Sequence, residues 1–394
     1  MIVTIILCIA FLLIYGVWER ILHKKRLHSI PIRINVNGIR GKSTVTRLIT
    51  GVVKEANYKA VGKTTGTSAR MIYWFTKDES PIKRRKEGPN IGEQRRVIKE
   101  VTDLEADALV CECMAVQPDY QIIFRNIMIN ANITVIVNVL EDHMDVMGPT
   151  LNEVADAFAA TIPYNGYLVT IESDYLEYFK KVAKQRNTKV TIADNSKILD
   201  EFLRKFDYMV FPDNASIALS VAEAMGINVE TAFRGMLNAQ PDPGAMRITR
   251  FGKELDASFF VNAFAANDAS STLRIWERVN SFKYSEKAPI IIMNCRADRV
   301  DRTEQFDKDV LPYIEAEILI AIGETTAPIK NFHEKGLFPT KLFIDLEGCS
   351  TEEILKSMRP YIRGRIVYGI GNIHGSAIPL IDAIIKEELV SKVS

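Results

Sequence analysis

Between Val36 and Ile49 the chain reads VNGIRGKSTVTRLI, a glycine-flanked Gly-Lys-Ser placed between a β-branched run and an amphipathic one. Those residue types suit the grip of a polyphosphate. Phosphate oxygens carry concentrated negative charge, and backbone N–H groups at a helix N-terminus present the positive end of the helix dipole to them. Gly38 and Gly41 let the backbone approach closely, Lys42 has the reach for the β- and γ-phosphates, and the Ser43 hydroxyl is a ligand type for Mg²⁺. Arg40 and Thr44 complete the candidate nucleotide contacts in the loop. The full G-x-x-x-x-G-K-[ST] pattern is not met, because its first glycine would fall on Val36. Gly-Lys-Thr recurs in VGKTTGT, Val61 to Thr67, where no helical pattern follows directly. This second stretch reads as a loop facing the site, with Thr65 a candidate for the metal shell.

A phosphate grip of this kind needs a strand to end and a helix to begin at the loop. IRINV precedes it, and between Ser43 and Asn57 the apolar residues Val45, Leu48, Ile49, Val52, Val53 and Ala56 repeat with helical spacing. Further β-branched runs, DALVCECMA, NITVIVNVL, GYLVTI, APIIIMNC, AEILIAIG and RIVYGIG, alternate with helical patterns, which predicts an α/β fold of mostly parallel sheets with helices on both faces. The turn-forming NAQPDPGAMR, Asn238 to Arg247, precedes a second strand-rich block. The expected organisation is a membrane anchor over 1–20, a basic linker over 21–30, a central nucleotide-binding domain over 31–255 and a C-terminal domain over 256–394, with the boundary near Leu255. KDESPIKRRKEGPN, Lys77 to Asn90, reads as a solvated charged connector.

Composition adds exclusions more than assignments. The apolar fraction of 47% and charged fraction of 25% over 394 residues are those of a folded protein of about two domains, and a net charge of +1 gives no electrostatic reason to expect a nucleic-acid partner. Five scattered cysteines, Cys8, Cys111, Cys113, Cys295 and Cys349, have neither disulfide-scaffold nor C-x-x-C metal spacing. Ile2 to Trp18 contains no charge and approaches the length that crosses a bilayer, roughly 17–25 residues. Positive charge follows it in Lys24, Lys25 and Arg26, not before it, which argues against a cleaved signal peptide and puts the remainder in the cytoplasm. The expected location is therefore the cell membrane, single-pass, with a cytoplasmic catalytic body.

NGIRGKST is similar to the phosphate loop of the Mur ligase superfamily, and other segments follow in that family's order. VCECMAV resembles the segment that keeps a magnesium-binding glutamate, which points to Glu112. NVLEDHMDVMG, Asn138 to Gly148, resembles the N-x-x-x-D-H-x-D-x-x-G signature and implies Asp142, His143 and Asp145 at the metal and phosphate site. FPDNASIALSVA resembles the asparagine-containing helix that touches adenine, through Asn214, and GAMRI the Gly-Arg segment, through Arg247. NAFAANDASS stands where these ligases open their C-terminal domain, so Asn267 and Asp268 substitute for a ribose-contacting aspartate. FAATIPYNG lacks the lysine that some members carbamylate.

Within the superfamily the chain resembles the ligase (B) subunits of bacterial poly-γ-glutamate synthases along its whole length, through the N-terminal apolar segment, GPNIGEQ, CMAVQPDYQIIF, PDPGAMRI, IIIMNCRADRVDRT and YGIGNIHG. The resemblance implies ATP and Mg²⁺, a carboxylate activated as acyl phosphate, and glutamate joined to a growing poly-γ-glutamate chain. It also implies other membrane subunits as partners; a homo-oligomer stays open. Lys42, Glu112, His143 and Arg247 are the implied catalytic residues, with Ser43, Glu112 and His143 at the metal. In the C-terminal half, Arg296, Arg299 and Arg302 suit carboxylates and His374 could assist amine deprotonation. Surface ion pairs and packing explain those four residues equally well. A P-loop ATPase energising polymer export and a folylpolyglutamate-synthase-like ligase are the rival expectations.

Overall fold

The computed structural model describes residues 2–65, 69–82, 90–242, 245–251, 257–264, 266, 268–282 and 284–391, with side chains to residue 386. Contacts divide the chain into two units, Met1–Phe206 with Val210–Pro243, and Asp207–Met209 with Gly244–Ser394.

In the first unit, β-branched runs form a sheet of β1 Ile32–Asn37, β2 Ala60–Lys63, β3 Arg70–Tyr73, β4 Ser80–Pro81, β5 Ala108–Glu112, β6 Ile133–Ile136, β7 Tyr167–Thr170 and β8 Lys189–Ile192, in the order β4-β3-β2-β5-β1-β6-β7-β8. β2, β5, β1, β6, β7 and β8 run parallel, while β3 and β4 add an antiparallel edge. The C-terminal ends of the central strands therefore lie side by side, and loops leaving them share one rim. Two adjacent residues of β2 show how the faces are covered. Val61 packs in a core with Val97, Ile98 and Leu27, from helices α3 (Glu93–Asp103) and α1 (Ile2–His28). Gly62 faces α2 (Lys42–Glu55), and a Cβ there would sit 2.5 Å from Thr50 Oγ1. α2 in turn meets the helix Val229–Leu237 backbone to backbone: a Cβ on Gly51 would lie 2.3 Å from the Gly235 carbonyl oxygen.

α1 is long and apolar enough to cross a membrane, and its apolar stretch is unburied. It also corrects the expected linker over 21–30. Nothing from Ile21 to His28 breaks a helix, the first proline being Pro31, so those residues continue α1. Its last turns are tied to the body: His23, buried, approaches the carbonyls of Ile127 and Met128 through Nε2 at 3.1 and 3.0 Å, and Glu19 pairs with Arg95 of α3.

The second unit is a six-stranded sheet of β9 Ile248–Phe251, β10 Ser258–Asn262, β11 Ile290–Cys295, β12 Ile318–Gly323, β13 Leu342–Glu347 and β14 Ile366–Gly371, ordered β13-β12-β11-β14-β10-β9. All pairings are parallel except β9 with β10. Trp276, Phe306 and Ile329 cover one face; Ile354, Met358 and Leu380 cover the other. The β9–β10 pairing moves the domain boundary from the expected position near Leu255 to 243/244, because residues 248–251 belong to the second sheet. Residues 207–209 join this unit through the Met209 N–H, which donates to the Met246 carbonyl at 2.8 Å.

The segment from Lys77 to Asn90 is more than a solvated connector where it is described. Arg47 of α2, its side chain 1% exposed, forms a two-nitrogen contact with the Glu79 carboxylate and lies 3.5 Å from Asp242. Removing the cation would leave carboxylates facing a buried, unpaired position. Arg47→Met is expected to lower stability by about 3–5 kcal/mol, read as a lower urea midpoint at unchanged m-value.

Candidate functional site

Strand β1 hands the chain to the phosphate loop at Asn37, and two side-chain amides hold the loop in shape. Asn37 Oδ1 accepts from the Gly38 N–H at 2.9 Å, while its Nδ2 donates to Gln121 Oε1 at 2.8 Å. Asn138, just beyond β6, accepts the N–H groups of Ile39 and Arg40 at 3.1 and 3.0 Å and donates back to the Arg40 carbonyl at 3.0 Å. Gly38 and Gly41 have φ of 130° and 83°, a region where side chains are strained. Space forbids them as well: a Cβ on Gly41 would come within 2.8 Å of Asn214 Oδ1. Gly41 is the N-cap of α2, so Lys42, Ser43 and Thr44 form that helix's first turn. Asn214, near the start of the helix Pro212–Ala224 and 8% exposed, is thus packed against Gly41 of the loop.

An open cavity of about 500 Å³ lies over this loop, lined among others by Gly38, Lys42, Thr65, Glu112, Asp142 and His143. Lys42 Nζ donates to the carbonyls of Gly38 and Ile39 at 2.8 and 3.0 Å. Burial depresses the Lys42 pKa, and the negative charges of Glu112 and Asp142 act against that shift. Glu112, the last residue of β5 and 3% exposed, accepts two hydrogen bonds on Oε2: from Ser43 Oγ at 2.9 Å and from the Thr65 N–H at 2.8 Å. Cys111 and Cys113 beside it are buried, which pushes their thiols up to about 12 and about 11. Both are small buried side chains in the core beneath the site.

The signature from Asn138 to Gly148 divides its work. Asn138 shapes the loop; Asp142 pairs with Arg40 at 3.3 Å and accepts the His143 N–H at 2.9 Å. His143, at φ 51°, reaches the cavity with a half-exposed ring. Gly148, at φ 124°, leads into the helix Leu151–Ala159, whose first turn carries the reciprocal Thr150–Glu153 cap. Asp145 is an exception to expectation: it sits exposed in the short helix Met144–Met147 and does not line the cavity.

The remaining candidates belong to the second unit. Arg247, just before β9, is half-exposed and 3.5 Å from Asp207. Asp268 caps the helix Ala269–Ser281, accepting from the Ser271 N–H and hydroxyl at 2.8 Å each, and Asn267 lies outside the described residues. The two loops singled out by sequence meet at the strand ends of β11 and β14. Asn294 Nδ2 donates to the carbonyls of Asn372 and His374 at 2.5 and 2.7 Å, and Arg302 donates to Asn372 Oδ1 at 3.0 Å. The helix after β11 and the helix after β14 cover opposite faces, so this is the switch point of the sheet, where α/β folds place ligands. Arg296 pairs with Asp298 at 2.8 Å; Arg299 and His374 are exposed on the same rim.

Residues 36–240 match the Mur ligase middle domain, and residues 248–387 match the poly-gamma-glutamate synthase CapB C-terminal domain. The capsule biosynthesis protein CapB of Bacillus anthracis is 74% identical over 392 residues, covering 100% of this chain and 84% of that protein. The chain belongs to the CapB family. PGA synthase CapB of Bacillus subtilis (strain 168) is 61% identical over 390 residues, 99% of each chain. In fold, the CapB-family chain is similar to E. coli FolC solved with DHPP and ADP, at TM-score 0.58 and 14% identity over 93% of this chain and 92% of that one. With a Mur ligase middle domain over more than half its length, the chain is an enzyme of the ATP-dependent amide ligase class.

Sequence reasoning missed Asn37, Gln121 and Asn138 as the residues that shape the loop. The signal was available, since Asn37 and Asn138 both directly follow β-branched runs that end at the rim. Asn138→Ala would strip acceptors from two loop N–H groups. It is expected to weaken ADP binding by about 1–3 kcal/mol, measured by titration calorimetry, with the fold retained by circular dichroism.

Proposed function

We propose that the chain couples glutamate to a growing poly-γ-glutamate chain at the expense of ATP. The observation that carries this is the Ser43–Glu112 hydrogen bond beside Lys42 at the foot of the phosphate loop, in a chain 74% identical to a CapB protein. Glu112 lines the open cavity and its carboxylate is bonded to the Ser43 hydroxyl, two adjacent hard oxygens of the kind Mg²⁺ prefers, and His143 lines the same cavity. Bound there, the ion would offset charge on the transferring phosphoryl group.

The chain's own residues do the rest. The N–H groups from Gly41 to Thr44 and the Arg40 side chain are assigned to the phosphates, with Gly38 leaving room for them, Lys42 to the β- and γ-oxygens, and Asn214 to the base. A carboxylate oxygen of the polymer or of glutamate attacks the γ-phosphorus; the bond to ADP breaks, giving acyl phosphate and ADP. The incoming amine then attacks the acyl carbon, phosphate leaves, an amide forms and the amine loses a proton. No side-chain nucleophile takes part. Arg247 is assigned to the charge of the transferring group, and Asp268 with Asn267 to the ribose. Arg296, Arg299 and Arg302 at the second unit's switch point are assigned to substrate carboxylates, with His374 as the group that receives the amine proton. α1 spans the cell membrane once, with the catalytic body cytoplasmic by its flanking basic residues, and other membrane subunits of the synthase contact it.

Full-length protein in nanodiscs, given Mg-ATP, glutamate and a poly-γ-glutamate primer, is expected to release ADP faster than without acceptor, and hydroxylamine is expected to trap the activated carboxyl as hydroxamate. Lys42→Ala should abolish ADP release. ADP release indifferent to a panel of amino acids, with no hydroxamate, would sink the ligase reading in favour of an export ATPase, and a response to folates alone would favour a folylpolyglutamate-type substrate.

A further inference from the structure

One fully buried ion pair beside the rim has no part in the chemistry above. Lys63, the last residue of β2, is 0% exposed, and its Nζ lies 2.8 Å from Oε1 of Glu93, the first residue of α3. Replacing such a pair by apolar side chains of similar volume often leaves stability unchanged or improved, so burial of the pair is not explained by stability alone. Its surroundings suggest a different task. In the sheet Lys63 stands opposite Cys111, the residue before Glu112. Two residues after Lys63, the Thr65 N–H donates to Glu112 Oε2, the same oxygen that accepts from Ser43. Thr64 between them is held through its own N–H to the Arg70 carbonyl at 2.9 Å and accepts from the Arg70 N–H at 3.1 Å. The start of α3 is fixed in turn by Asn90, whose carboxamide accepts the Gly92 N–H at 2.7 Å.

We propose that the Lys63–Glu93 ion pair is a positioning device: by pinning the end of β2 to the first turn of α3, it fixes the Thr65 N–H and so the orientation of the Glu112 carboxylate toward the metal position. Thr65 acts through its backbone, so its direction is set by where β2 ends, and a lysine anchored sideways in the sheet sets that end. The negative Glu93 is itself favoured at a helix N-terminus, which makes α3 a firm anchor. The proposal rests on Ser43 and Glu112 as the Mg²⁺ ligands.

The test measures binding of a fluorescent ADP analogue to full-length protein in nanodiscs against Mg²⁺ concentration, together with thermal unfolding. Lys63→Met/Glu93→Leu removes both charges and is expected to unfold near the wild-type temperature while needing about tenfold or more Mg²⁺ for half-maximal binding, as typical of lost supporting contacts around a metal site. Glu93→Asp, which keeps both charges but shortens the reach to Lys63, is expected to shift the same midpoint in the same direction by a smaller factor and decides the matter if the double variant fails to fold. An unchanged Mg²⁺ midpoint in either folded variant overturns the positioning role while leaving the metal assignment standing. Nucleotide binding by the wild type that ignores Mg²⁺ overturns both.

Discussion

The constraint on which the first unit depends is that a phosphate-binding loop must leave the N–H groups of its helix start for phosphate while the rest of its backbone survives between a buried strand and a buried helix. Such a loop cannot satisfy itself with strand or helix hydrogen bonds, so its shape has to come from neighbours. Here two amides from adjacent strand ends, Asn37 and Asn138, supply acceptors, and Asn214 closes the remaining side against Gly41. The glycines follow from that crowding as much as from their dihedral angles. Lys42, Ser43 and Glu112 can then stand together because β1 and β5 are parallel neighbours ending at one rim.

The second unit repeats the arrangement with other chemistry. Asn294 at the end of β11 again uses a side-chain amide to hold a neighbouring strand's loop, this time the carbonyls after β14. A Cβ on Gly371 would meet the Asn294 carbonyl at 2.6 Å, so the loops approach as closely as backbone allows. The result is a rim rich in arginine at a switch point, where the first unit has a rim of amide, hydroxyl and carboxylate groups.

Much of this was legible in the sequence, and the pattern of what was not has a physical cause. Strands buried on both faces read as continuous β-branched runs, so the central strands of both sheets and the strand-to-helix context of Gly-Lys-Ser stood out. Edge and short strands did not: β3 and β4 are four and two residues long and pair antiparallel at an edge, and β9 is four residues paired antiparallel at an edge, which displaced the domain boundary. Lys63 was hidden inside a second Gly-Lys-Thr that resembles a phosphate loop, yet its ammonium turns into the interior to meet Glu93. The residues assigned to the chemistry were singled out by type and order. Those that hold them in place, Asn138, Arg47 and Lys63, depend on contacts between segments distant in the chain, which no local pattern encodes.

α1 is a single unbroken helix from Ile2 to His28, clamped at Glu19 and His23 to the body that carries the phosphate loop. It therefore behaves as a stiff handle, not a leash. Whatever grasps the apolar stretch thereby constrains the azimuth and tilt of the nucleotide-binding body.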